Sequence, residues 1–211
     1  MQDKIKLKKV ISMSQLYNKN RKVLEFSGAW LKFMGQPEMK GSWIIWGESG
    51  NGKTSFSIQL AKYLTKFGKV LYNSREEGDS KSLELTCRRE QMEVVARRFH
   101  ITSDNKEELK IRLEQKRSAD IIFIDSYQYM ALSYKEYKEL KESFPNKLFV
   151  FLSHAEGKHP EGRAAKKVKY DANVKIHVDS YVASCVSRYG GGEPYIIWEE
   201  KASELSDNLL K

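Results

Sequence analysis

The stretch that most constrains this chain runs from Ser42 to Phe67. An apolar run, SWIIW, leads into GESGNGKTSF at residues 47 to 56, and an amphipathic run follows. In that run Phe56, Leu60, Tyr63, Leu64 and Phe67 recur at helical spacing, as they do on a helix with one face on a core. Gly47, Gly52, Lys53 and Thr54 fit G-x-x-x-x-G-K-[ST]. Between a strand and a helix, such a loop is built for phosphates. Backbone N–H groups across Gly47, Glu48, Ser49, Gly50, Asn51, Gly52, Lys53, Thr54 and Ser55 would converge on them, and the helix N-terminus adds positive potential. Lys53 would neutralise β- and γ-phosphate oxygens, and the Thr54 hydroxyl would ligate Mg2+. The plainer alternative is a Gly/Ser turn, which does not require the flanking strand and helix.

Beyond this stretch the pattern repeats. SWIIW, KVLYNS, ADIIFIDS and KLFVFLSH carry nearly continuous apolar cores, the mark of strands covered on both faces. Residues 53–67, 79–99, 104–117 and 133–143 are helix-compatible, with SDNKEE a helix start. Strand and helix in alternation predict an α/β fold with a mostly parallel sheet and right-handed crossovers. NVKIHVDS, YVASCVSR and PYIIWEE then read as consecutive strands with tight links, a C-terminal antiparallel hairpin extension of the sheet. The division expected is an N-terminal extension over residues 1–40, a core over 41–200 and a tail over 201–211.

A metal bound beside a triphosphate needs a second oxygen donor. Asp125 follows four apolar residues at the carboxyl end of a strand, where ligands of open α/β sheets gather. The plainer reading is a strand-terminal Asp that starts a turn. Ser126 comes next, so a water-activating carboxylate is not beside the metal acid. Glu76 and Glu77 end KVLYNSREE instead, where a carboxylate can orient a water in line with the γ-phosphate. Two surface glutamates in a turn are the alternative.

GESGNGKTS, YNSREEG, FIDSYQ and FLSHAEG stand in the order seen in the RecA-like P-loop ATPases. Residues 41 to 200 resemble the branch that holds hexameric replicative helicases, RadA-type recombination ATPases and KaiC-like proteins. The resemblance implies a RecA-like P-loop NTPase fold that binds ATP and Mg2+. It also implies that Glu76 activates water, with Glu77 its neighbour, and that Thr54 and Asp125 hold the metal. Ser153 and His154 match the position that senses the γ-phosphate; a lone His with no special role is the alternative. AEGKHPEGRAAKKVKYDAN follows, where such proteins grip single-stranded DNA with a mobile loop. Lys158, Arg163, Lys166, Lys167 and Lys169 would track phosphates there and Tyr170 would stack on a base, unless the segment is simply a solvated charged loop. Arg188, before YGGGEP, matches an arginine finger that reaches a neighbouring subunit's nucleotide. Val186 stands where helicases tend to carry a second basic residue, and a plain hairpin arginine is the alternative. The chain resembles a minimal phage or mobile-element type, without a zinc finger or a separate helical domain.

The function this implies is an ATPase that yields ADP and phosphate, coupled to single-stranded DNA in replication or recombination. Its active form would be a homo-oligomeric ring or filament. The other class is an ATP-binding switch or loader that organises a protein partner. A small-molecule kinase fits Glu76–Glu77 and IDSYQ poorly. No N-K-x-D or L-S-G-G-Q motif is present, against a GTPase and an ABC-type ATPase. The net charge of +9 suits a polyanionic partner. Two distant cysteines, Cys87 and Cys185, give no disulfide framework and suit a cytoplasmic protein. The apolar runs are far shorter than the roughly 20 residues of a membrane helix, and the basic start carries no secretory signal.

Overall fold

The computed structural model describes residues 10–209, with side chains as far as residue 204. The lysine-rich start over residues 1–9 and the last two residues of the tail lie outside the described residues. In chain order the elements are α1 (Met13–Tyr17), α2 (Gly28–Met34), β1 (Gly41–Gly47), α3 (Lys53–Leu64), β2 (Val70–Ser74), α4 (Lys81–Arg89), a 3-10 turn over Met92–Val95 and β3 (Phe99–Thr102). Then come α5 (Lys106–Glu114), β4 (Ile121–Asp125), α6 (Tyr127–Met130), α7 (Tyr134–Ser143), β5 (Leu148–Glu156), β6 (His159–Pro160) and α8 (Arg163–Asp171). The chain closes with β7 (Val174–Asp179), β8 (Val182–Ser187), β9 (Tyr195–Ile196) and α9 (Glu199–Leu209).

One sheet runs in the order β3-β2-β4-β5-β1-β7-β8-β9, with β6 paired to β5. The strands from β3 to β7 are parallel, and β7, β8 and β9 are antiparallel. Successive residues of a strand face opposite ways, and β1 shows it. Trp43 and Ile45 join Phe56 and Leu60 of α3 in one apolar layer, while Ile44 and Trp46 join Tyr137, Leu140, Ala165 and Val168 on the other side. Both faces are covered, which is why the central strands are apolar throughout. Phe56, Leu60 and Leu64 are fully buried, as the helical spacing requires.

Three segments differ from the sequence expectation. Residues 79–99 are not one helix. α4 stops at Arg89, Gln91 takes a left-handed φ of 53°, and Phe99–Thr102 forms an edge strand. An edge strand has a solvated side, so FHIT carries no continuous apolar core. PYIIWEE contributes only Tyr195 and Ile196 to the sheet before α9 begins at Glu199. The link between β8 and β9 is not tight: it crosses to the C-terminus of α2, where Gly192 N–H donates to Phe33 O (2.9 Å) and Glu193 N–H to Lys32 O (3.1 Å). A side chain on Gly191 would sit 2.6 Å from Met34 N, so glycine alone fits that approach. Leu24, Phe26, Phe33, Met34 and Met39 pack in the same apolar layer as α3. Among the described residues no helix is long and apolar enough to cross a membrane.

Candidate nucleotide site

Strand register assembles the site. β1 pairs with β5 so that Gly47 lies opposite His154 and Trp46 opposite Ser153. β2 pairs with β4 so that Ser74 lies opposite Asp125. The ends of four parallel strands therefore meet beside the loop that follows β1. This is the crevice at the carboxyl edge of an open α/β sheet.

The loop is held closely on two sides. A Cβ on Gly47 would come 2.1 Å from Val178 O of β7, and one on Gly52, whose φ is +94°, would come 2.8 Å from the Tyr181 ring. Lys53 opens α3 and donates from Nζ to Glu48 O at 2.8 Å. Burial lowers its pKa, against the pull of Glu76, Asp125 and Glu48. Ser49, Gly50, Gly52, Lys53, Thr54, Ser55, Glu76, Glu77 and Asp125 line one cleft of about 260 Å³.

Asp125 is 8% exposed and accepts a 2.6 Å hydrogen bond from the Tyr72 hydroxyl, which also lies 2.8 Å from Ser57 Oγ. Burial pushes its carboxyl up from 3.8 to about 6; the Tyr72 bond works against that, and Glu76 and Glu77 add to it. Asp125 and Thr54 line the same cleft, and a carboxylate with a hydroxyl offers the oxygen donors that a small hard cation takes. Thr54 and Asp125 are the residues that would hold such a cation.

The two glutamates part company. Glu76 Oε2 lies 2.8 Å from His154 Nε2, whereas Glu77 Oε2 accepts from Ser80 Oγ at 3.2 Å, ahead of α4. Ser153 is buried; its hydroxyl accepts from Gln128 Nε2 (2.8 Å) and donates to His154 O (2.9 Å). His154 N–H donates to Gln128 Oε1 at 3.3 Å, and Gln128 Nε2 also reaches Glu161 O at 3.1 Å. The Gln128 amide thus ties the end of β4 to the end of β5 and to the hairpin beyond it.

The basic segment corrects the expectation of a mobile loop. Residues 155–160 form the β5–β6 hairpin with Lys158 at its tip, and Arg163, Lys166, Lys167 and Lys169 all lie on α8. Gly157 and Gly162 precede the helix, and Ala165 and Val168 one turn apart give it its buried stripe. Arg163, Lys166, Lys167 and Tyr170 share the opposite face by helical spacing, and Tyr170 is 80% exposed. Lys166 pairs with Glu156 at 2.7 Å. Lys169 folds inward over the Trp46 ring at 4.1 Å.

Arg188 is not brought to this cleft. Its N–H bonds Asn173 O, and Asn173 N–H bonds Ser42 O, so it lies beside the start of β1. Five residues of strand separate that point from Gly47, about 16 Å at roughly 3.3 Å per residue.

The cleft also contains residues that the sequence did not announce. Thr86, Arg89, Tyr181 and Trp198 line it with Leu152, and Tyr72 lies beneath Asp125. A tyrosine in an apolar strand reads as core. Thr86 and Arg89 come one turn apart on α4, Leu152 from β5, Tyr181 from the β7–β8 turn and Trp198 from just ahead of α9, and no single local pattern joins them.

The sheet order, the helices on both faces and the antiparallel β7-β8-β9 extension define a RecA-like fold. The chain superposes on the crystal structure of flagellar accessory protein FlaH from Methanocaldococcus jannaschii with a TM-score of 0.57 at 15% identity, over 84% of this chain and 97% of that one. No protein-family model matches the sequence, and no curated protein matches it.

Proposed function

We propose that this protein is a Mg2+-dependent ATPase that converts ATP to ADP and phosphate, coupled to binding or remodelling single-stranded DNA in replication or recombination. One observation carries the catalytic reading: Lys53 and Thr54 from the start of α3, Asp125 from the end of β4 and Glu76 from the loop after β2 line one cleft. Bound Mg2+ would supply charge neutralisation at the β- and γ-phosphate oxygens. Lys53 leaves Glu48 O to bind the same oxygens, and Thr54 and Asp125 hold the cation. His154 holds one Glu76 oxygen, and the other oxygen orients a water and takes its proton. Loss of the γ-phosphate is felt at His154, and the Gln128 amide links that residue to the hairpin ahead of α8.

The outward face of α8 supports the DNA arm of this reading, since three cations and an exposed tyrosine lie along it. Arg188 lies too far from its own cleft to act there, which favours action in a neighbouring subunit of a ring or filament. A cytoplasmic setting accords with the two free thiols.

A second reading is favoured by a specific observation. Lys166 and Lys169 are already engaged with Glu156 and Trp46, and the segment is ordered rather than loose. An ATP-binding switch that organises a protein partner fits such a surface. ATP turnover with and without single-stranded DNA, across salt concentration, separates the two. DNA-stimulated turnover with salt-dependent affinity supports the motor reading; turnover indifferent to DNA supports the switch.

A further inference from the structure

The cleft beside the phosphate loop has two unlike ends. Asp125 and Glu76 mark the end where the γ-phosphate and the attacking water belong. At the other end stand Tyr181, Trp198 and Arg89, drawn from the β7–β8 turn, the approach to α9 and the last residue of α4. They are tied to the loop itself. Tyr181 N–H donates to Asn51 O at 3.1 Å, and its ring lies against Gly52. Ile197 N–H donates to Tyr181 O at 2.8 Å, which seats Trp198 edge-on to the Tyr181 ring at 6.2 Å. Arg89 donates to Ser55 Oγ at 2.8 Å and lays its guanidinium 4.7 Å from the Trp198 ring centre.

We propose that Trp198, with Tyr181 and Arg89, forms the nucleobase-binding end of this cleft, taking the base of a purine nucleoside triphosphate by stacking. This rests on the reading that the loop holds a triphosphate. The sheet order directs the base here, because the acids come from β2 and β4 on one side of β1 and Tyr181 from the β7–β8 turn on the other. Half-buried aromatic rings with a cation against one of them give a flat, polarisable surface on which a base stacks. Arg89 bonds Ser55 and Glu90 and lies over the Trp198 ring, so what this end chiefly presents to a base is a flat face. Every base offers a π-face, and a purine offers more of it than a pyrimidine. Adenine and guanine are therefore held about equally.

Calorimetric titration of the full chain with Mg·ATP, Mg·GTP and Mg·tripolyphosphate tests this. Trp198→Ala is expected to weaken ATP about tenfold or more, with Trp198→Phe within about threefold of the parent, while tripolyphosphate is unchanged in both. ATP and GTP are expected to lie within about tenfold of each other in the parent. An unchanged ATP affinity in Trp198→Ala overturns the proposal. So does an equal loss for ATP and tripolyphosphate, which would mean that Trp198 only props the loop. A preference of 100-fold or more between the two purines would overturn stacking as the means of recognition. A parent chain that binds neither ATP nor tripolyphosphate sinks the triphosphate reading itself, an outcome distinct from the loss of the base site alone.

Discussion

The phosphate end of the cleft and the basic face of α8 are built on opposite terms. At the phosphate end polar groups on different strands and their loops are tied to one another: Asp125 to Tyr72, Ser153 to Gln128, Glu76 to His154. On α8 the cations lean on separate neighbours, Lys166 on Glu156, Lys167 over the Tyr134 ring and Lys169 over Trp46. Bond-making chemistry needs groups held to a fraction of an ångström. Attraction between a cationic face and a polyanion needs only sign and proximity. The contrast predicts that single atoms matter at one region and summed charge at the other.

The largest effect should come from Lys53→Ala, which is expected to abolish measurable turnover, a loss of 10²-fold at least by analogy with other preorganised electrostatic groups. Glu76→Gln should reduce kcat by about 10²–10⁴ while ATP is still retained on a filter. Normal hydrolysis by Glu76→Gln would remove the water-orienting role from Glu76.

The third break is a matter of pH. Asp125 is raised to about 6, chiefly by burial, and only its ionised form binds a cation well. Metal-dependent nucleotide affinity should therefore fall as pH drops through about 6. Stability behaves oppositely: the fold favours the neutral acid, so this contribution is full below about pH 3.8 and is lost as pH rises through about 6. Tyr72→Phe removes the bond that lowers the Asp125 pKa, so the midpoint of the affinity–pH profile should move upward. A midpoint that stays put would mean that Tyr72 is merely packing.

The smallest effect sharpens the other side. Replacing Arg163, Lys166 and Lys167 with Gln should leave turnover without DNA unchanged. If α8 carries the DNA contact, the slope of log affinity against log salt should shrink by about 2, at roughly 0.7 per cation on a single strand. An unchanged slope would move the contact elsewhere or favour the protein-partner reading.

Much of this architecture was legible because the central strands are buried on both faces and so spell out apolar runs. GESGNGKTSF was legible because close backbone approach restricts residue choice at Gly47 and Gly52. β3 escaped because one side of it is solvated, and α8 escaped because glycines at 157 and 162 masked an amphipathic helix behind them. Arg89, Tyr181 and Trp198 escaped for a different reason. Nothing local marks them; they become neighbours only when α4, the β7–β8 turn and the approach to α9 close over Ser55 and Gly52.

The clasp between α2 and the glycine-rich connection carries a consequence for synthesis. Ser187 Oγ donates to Met34 O across 153 positions of sequence, and Gly192 N–H reaches Phe33 O. On a ribosome, the apolar side chains around Phe33 have to wait for more than a hundred and fifty further residues before that part of their enclosure exists. The emerging chain therefore leaves one side of that cluster open until its last strands arrive, and those strands act as the closing latch.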